Sequence, residues 1–271
     1  MGGPVGAPAL RMRIALGVSY RGGGYQGWQS QPGGRTVQDQ VELALSRFAD
    51  TPLRVMCAGR TDSGVHALNQ VIHLDTELHR EPFSWVRGTN RYLPTDIAVQ
   101  WCQPVDDRFH ARNSAQGRRY CYVLLESPVR PSLDAGLVGW TLRRLECAPM
   151  RAAAELLLGE HDFSAFRAAE CQAASPVKTL RRIQIERRGA YWRFEFDASA
   201  FLHHMVRNIV ASLVAVGSGT RSPGWMADVL AARDRSLAAA TFAPDGLYFV
   251  GPYYDPALRL PEGAASNGWL P

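Results

Sequence analysis

Alternating and helical periodicities succeed one another along this chain in an order that restricts its fold class more than any single motif does. Met12, Ile14, Leu16, Val18 and Tyr20 alternate along one face, the pattern of a strand with one side buried. Thr36 then stands at a helix N-cap with Asp39 in a capping-box relation, and Val37, Val41, Ala44, Leu45 and Phe48 form the apolar stripe. Two extended runs follow, Leu53 to Cys57 and Val65 to Leu74; a helix opening near Pro82 and a strand over Ile97 to Cys102 complete the series. Strand, helix, paired strands, helix, strand describes an α+β half-molecule.

The order then recurs loosely. Arg119 to Leu125 reads as a strand, Pro149 to Leu158 as a helix stopped by Gly159, and a hairpin turns near Arg188-Gly189. Leu202, Met205, Val206, Ile209, Val210, Leu213 and Val216 predict a long helix over Leu202 to Val216, and Gly246 to Val250 a closing strand. We therefore expect two RRM-like, ferredoxin-like halves, residues 10–106 and 107–256, with flexible tails at 1–9 and 257–271. No fixed-period repeat is visible, so the two halves rest on element order. Trp192, Phe194 and Phe196 suit either a hairpin core or a base-stacking surface.

The net charge of +5 is modest, but Lys178 is the single lysine, so the positive charge is almost entirely arginine. Arginine suits bidentate phosphate contacts and base stacking, which favours an RNA partner. Cys57, Cys102, Cys121, Cys147 and Cys171 are odd in number and scattered, as reduced thiols are. With no signal-like segment and no apolar run of about 18 residues, the expected location is the cytoplasm, with no membrane partner.

Between the two extended runs lies Ala58-Gly59-Arg60-Thr61-Asp62-Ser63-Gly64-Val65-His66-Ala67, which places one carboxylate, Asp62, at the tip of a glycine-flanked turn. Gly59 and Gly64 are expected to free the backbone for close approach to another molecule. A second glycine-rich loop, Tyr20 to Gln31, interleaves aromatic and amide side chains in a composition able to meet a nucleic acid. It lacks the Gly-Lys-Ser/Thr ending of a P-loop.

The Asp62 turn resembles the Ala-Gly-Arg-Thr-Asp-Ala-Gly-Val-His-Ala signature of the tRNA pseudouridine synthase A family, with Ser63 in place of alanine. Further segments match in the same order: the Tyr20 loop, with Arg21 where the family has Asp; Phe109 to Ala115 with Arg119-Tyr120-Cys121-Tyr122; His161 to Phe166; and Phe201 to Val210. The resemblance implies a pseudouridine synthase fold, with the halves sharing a continuous, mainly antiparallel sheet. It also implies a basic cleft, a homodimer touching tRNA with both subunits, and no cofactor. The implied reaction turns uridine into pseudouridine on the 3′ side of the anticodon stem-loop, at tRNA positions 38, 39 and 40; DNA is not an expected partner.

That reaction explains how one carboxylate suffices. An ionised Asp62 can add to ribose C1′, add to C6 of the base, or remove the 2′ hydrogen, and the sequence does not choose among these routes. By resemblance, Arg207 supplies the neighbouring charge, Arg60 occupies the space of a flipped-out nucleotide, Tyr120 stacks on the uracil, and Leu247 lines the pocket. His203 and Arg207 share a helix face at a spacing of four, whereas His203 and His204, as helix neighbours, are expected not to present both rings to one metal. His161-Asp162 lacks a nucleophile to activate. Two readings compete: a non-catalytic RNA-binding module, which leaves Asp62 without a purpose, and a metal-dependent nuclease, which needs further clustered carboxylates.

Overall fold

The structure, a computed structural model, describes residues 11–171 and 173–261; the expected tail 1–9 and the greater part of the expected tail 257–271 lie outside the described residues. In chain order the regular elements are β1 (Met12–Tyr20), α1 (Val37–Ala49), β2 (Met56–Cys57), β3 (His66–Thr76), α2 (Pro82–Asn90), β4 (Ile97–Val105) and β5 (Gly117–Glu126). They continue with β6 (Gly139–Thr141), α3 (Cys147–Glu155), β7 (Gly159–Asp162), β8 (Val177–Arg188), β9 (Tyr191–Ala198), α4 (Met205–Gly217), α5 (Trp225–Ala232) and β10 (Leu247–Tyr253). The fold is mixed α+β.

One continuous sheet runs β4-β1-β3-β10-β5-β9-β8-β7, with β2 paired to β3 and β6 to β5. It is mainly antiparallel; β10 with β3 and β6 with β5 are the parallel pairs. The last strand is thus a central one. β10 holds β5 along most of its length but meets β3 only at Tyr248↔His66 and Phe249↔Ala67.

Two large apolar clusters pack against this sheet, because the strands alternate and the helices carry single stripes. One gathers Ile14, Leu16 and Val18 of β1 with Val37, Val41 and Leu45 of α1 and Trp85 of α2. The other gathers Tyr122 and Leu124 of β5, Phe194 and Phe196 of β9, and Ile209, Val210 and Leu213 of α4. The clusters exchange members at the join: Phe249 of β10 packs in the first, Val65 in the second, and Tyr120 lies against both. Trp192, Phe194 and Phe196 are almost wholly buried, which removes the base-stacking alternative for this hairpin.

Several boundaries differ from expectation for identifiable reasons. Of the run Leu53 to Cys57, only Met56–Cys57 pairs as a strand. The helix expected over Leu202 to Val216 begins at Met205, because His204 adopts a left-handed backbone at φ 61. Leu202 is buried nonetheless, which is why it fell into the helical stripe. α3 starts two residues before Pro149, in the first turn where a missing N–H costs nothing. The short β6, β7 and α5 carried too little periodicity to be read. At the start of the expected C-terminal tail, Pro256–Leu258 form a 3-10 turn capped by Asp255, and the Leu258 carbonyl accepts from Gln103. Among the described residues no helix is long and apolar enough to cross a membrane.

Candidate active site

Asp62 opens a four-residue turn closed by the Val65 N–H on the Asp62 carbonyl at 3.1 Å. Gly64, third in the turn, has φ 83, the left-handed conformation of a type II turn. A Cβ there would also stand 2.7 Å from Pro244 Cγ. Ser63 donates its hydroxyl to the Tyr25 carbonyl at 3.2 Å, so the serine at this position has a bond that alanine lacks. Gly59 is a correction: its φ is not left-handed, and a Cβ would meet Phe249 at an ordinary 3.4 Å. Its peptide is instead bracketed by the buried Gln70 amide, whose Oε1 accepts from Gly59 N–H at 3.2 Å and whose Nε2 donates to the Gly59 carbonyl.

The residues behind the turn fix it from the side of the first cluster. The Thr61 carbonyl accepts from Trp28 N–H at 3.0 Å, and the Thr61 and Tyr20 hydroxyls are 2.8 Å apart. Gly27 packs so closely that a Cβ would come within 2.7 Å of the Thr61 carbonyl oxygen. Part of the glycine-rich loop therefore supports the Asp62 turn instead of facing a ligand, while Gln26, Gln29 and Gln31 line the cleft. His66 is structural: its Nδ1 accepts from Gly22 N–H, its Nε2 lies 3.1 Å from the Asp245 carbonyl, and burial lowers its pKa. Arg21 is exposed, its backbone N–H donating to the Asp96 carbonyl.

Arg118, a residue the sequence reading passed over for Arg119, stands two before Tyr120. It donates to the carbonyls of Ala58 at 3.1 Å and Arg112 at 2.7 Å, tying β5 to the approach of the Asp62 turn. Arg119 is exposed. Gln70 and Arg118 were missed because each serves backbone groups that become neighbours only in the fold.

Three cationic or potentially cationic groups surround the Asp62 carboxylate. Arg207, in the first turn of α4, places Nη1 3.5 Å from Asp62 Oδ2 while its Nε donates to the Phe242 carbonyl at 2.8 Å. That second bond fixes the guanidinium beside the carboxylate. His203 Nε2 lies 3.4 Å from Oδ1 and His204 Nε2 3.7 Å from Oδ2. This overturns the expectation that neighbouring imidazoles diverge: neither residue is in α4, and the left-handed backbone of His204 turns both rings to one carboxylate. Burial lowers the His204 pKa, against the pull of Asp62.

A cleft of about 1130 Å³ opens over this cluster, its wall including Arg60, Asp62, Tyr120, His203 and Leu247. Arg60 is exposed, whereas Leu247 is buried in the core beneath while still forming wall. Tyr120 packs edge-on to Phe201 and tilted against Phe249, each at 5.0 Å between centroids. Burial, then the charge of Asp62, raises its pKa, so the phenol keeps its proton. His161 and Asp162 are occupied structurally, at the Leu158 carbonyl and the Ser164 N–H. The site therefore offers one carboxylate beside a fixed cation and a protonated phenol, a set suited to nucleophilic or base catalysis on a ligand in the cleft.

A family model described as tRNA pseudouridine synthase matches residues 18–113 and 153–255. The chain is 73% identical over 260 residues to a protein named tRNA pseudouridine synthase A from Methylibium petroleiphilum, covering 96% of this chain and 100% of the relative. Proteins of the same name from Polaromonas naphthalenivorans and Paracidovorax citrulli are 64% and 61% identical, each over 96% of this chain and 100% of their own length.

Proposed function

Because the chain belongs to the tRNA pseudouridine synthase family, we propose that it isomerises uridine to pseudouridine in tRNA with Asp62 as its nucleophile or base. The observation that carries this reading is the Asp62 carboxylate on the cleft wall, with Arg207 Nη1 held 3.5 Å away. The reaction breaks the bond from C1′ to N1, turns the freed uracil, joins C5 to C1′, and moves the C5 proton off while N1 gains one. Atoms and electrons balance without a cofactor.

Asp62 holds the sugar or base through the rotation by addition to C1′ or C6 and is expelled when C5 joins C1′. Alternatively, it acts as a base that takes the 2′ hydrogen as the uracil departs to leave a glycal, and returns that proton to C2′ when C5 joins C1′. Arg207 stabilises the carboxylate and any charge that returns to it. Tyr120 stacks on the uracil and guides the C5 proton as a relay, in keeping with a phenol that stays protonated. Arg60, exposed two residues before Asp62, fills the space of the extruded nucleotide or holds its phosphate, and Leu247 closes the pocket wall. The substrate region is the anticodon stem-loop, the working form a homodimer, and the compartment the cytoplasm. The halves 10–106 and 107–256 then act as two jaws joined by the shared sheet, a division that the two large clusters support. A non-catalytic RNA-binding role is less favoured, since it gives the turn around Asp62 nothing to do.

Mapping pseudouridine along unmodified tRNA incubated with the protein and with Asp62→Asn tests the proposal. The native chain should modify the anticodon arm, and the variant should bind tRNA yet form no pseudouridine. Undiminished activity in the variant would overturn the role of Asp62; modification outside the anticodon arm would overturn the substrate region.

A further inference from the structure

We propose that Asp62, His203 and His204 form a site for a divalent cation of the zinc class, whose occupancy blocks the cleft. One carboxylate oxygen and one ring nitrogen from each histidine lie within 4.8 Å of one another. Ligands at about 2.0–2.2 Å from a tetrahedral zinc stand about 3.4 Å apart. His203 Nε2 stands 3.4 Å from Oδ1 and His204 Nε2 3.7 Å from Oδ2, each close to that value on its own oxygen, so a turn of the carboxylate between the rings completes the set. The imidazoles, 4.0 Å apart between centroids and tilted by 40°, need only a side-chain adjustment to converge.

The backbone is arranged for this convergence. Consecutive residues of a helix point about 100° apart, whereas His204 leaves the helical conformation at φ 61 immediately before α4. A carboxylate with two imidazoles selects zinc, cobalt or nickel over magnesium, which prefers an octahedron of oxygens. Water fills the remaining positions, as in sites with three protein ligands. A cation on Oδ1 leaves Oδ2 facing Arg207, so the same carboxylate is withdrawn from any substrate. That blocking consequence rests on the catalytic reading of Asp62; the metal site itself does not.

Cobalt(II) titration of the whole chain, followed by its visible absorption bands and by equilibrium dialysis, reads the site without reference to activity. One cobalt per chain, displaced by zinc and not by magnesium, is expected. His203→Gln and His204→Asn should each weaken binding at least tenfold; asparagine tolerates the left-handed backbone at position 204. On the native chain, zinc should shift the ring-proton NMR signals of two of the seven histidines, a check that needs no substitution. Cobalt bound equally well by both variants, or zinc shifting neither signal pair, overturns the site. Zinc should also stop pseudouridine formation, reversibly with chelator. Metal bound at these residues with isomerisation unaffected would overturn the blocking role and the catalytic reading of Asp62 while leaving the site in place.

Discussion

Asp62 is held by bonds to its neighbours' backbone more than by any bond of its own. Gln70 brackets Gly59, Arg118 takes the Ala58 carbonyl, Trp28 the Thr61 carbonyl, and the Tyr25 carbonyl receives Ser63 and Gly64. In the role proposed for it, a carboxylate so fixed tolerates little displacement, since about 1 Å of misplacement costs on the order of 10²-fold in rate. Gly64→Ala combines a strained φ with a contact at 2.7 Å to Pro244, so it should cost about 1–3 kcal/mol and lower the rate by more than its effect on tRNA binding. Ser63→Ala removes one exposed hydrogen bond and should change stability by less than about 1 kcal/mol with activity retained. Thermal melts with single-turnover assays check both; an equally active Gly64→Ala would show that the turn is not rigid. Asp62 stood out in the sequence as a carboxylate on a glycine-flanked turn and Tyr120 entered by resemblance, and the structure brings both to the cleft wall. The parts played by Gln70, Arg118 and the pair His203-His204 were not legible, because their roles depend on backbone groups and a left-handed φ that no spacing encodes.

At the scale of elements, β3 carries two buried histidines as structural parts. His66 joins the glycine loop to the Asp245 carbonyl, and His73 accepts from Ala111 N–H at 3.1 Å. Burial lowers both pKa values, that of His73 to about 4. The unfolded chain takes up protons near pH 6.5 while the folded chain does not, so their stabilising effect is full above about pH 6.5 and is lost as pH falls towards 4. Denaturant midpoints should therefore fall between pH 6.5 and 5, before most carboxylates titrate, and His73→Gln should flatten the slope. A midpoint constant over that range would contradict neutral buried histidines. β3 itself was readable from its run of Val, Ile and Leu. The partners of its histidines, far along the chain, were not.

At the scale of the molecule, the join between the clusters depends on β10, the last strand in sequence and a central one in the sheet. Order of elements suggested two halves, but no local pattern could show that the final strand lies between β3 and β5, because such pairings are set by the whole fold. Phe249 makes the consequence measurable: from β10 its ring packs, fully buried, in the cluster of α1 and α2, and it touches Tyr120, which lies against both clusters. Phe249→Ala should cost roughly 3–5 kcal/mol. If β10 makes the sheet one cooperative body, calorimetry will show a single transition, moved down as a whole by the substitution. Two transitions, with only one of them moved, would mean that the halves fold independently and that the cleft between them is free to open.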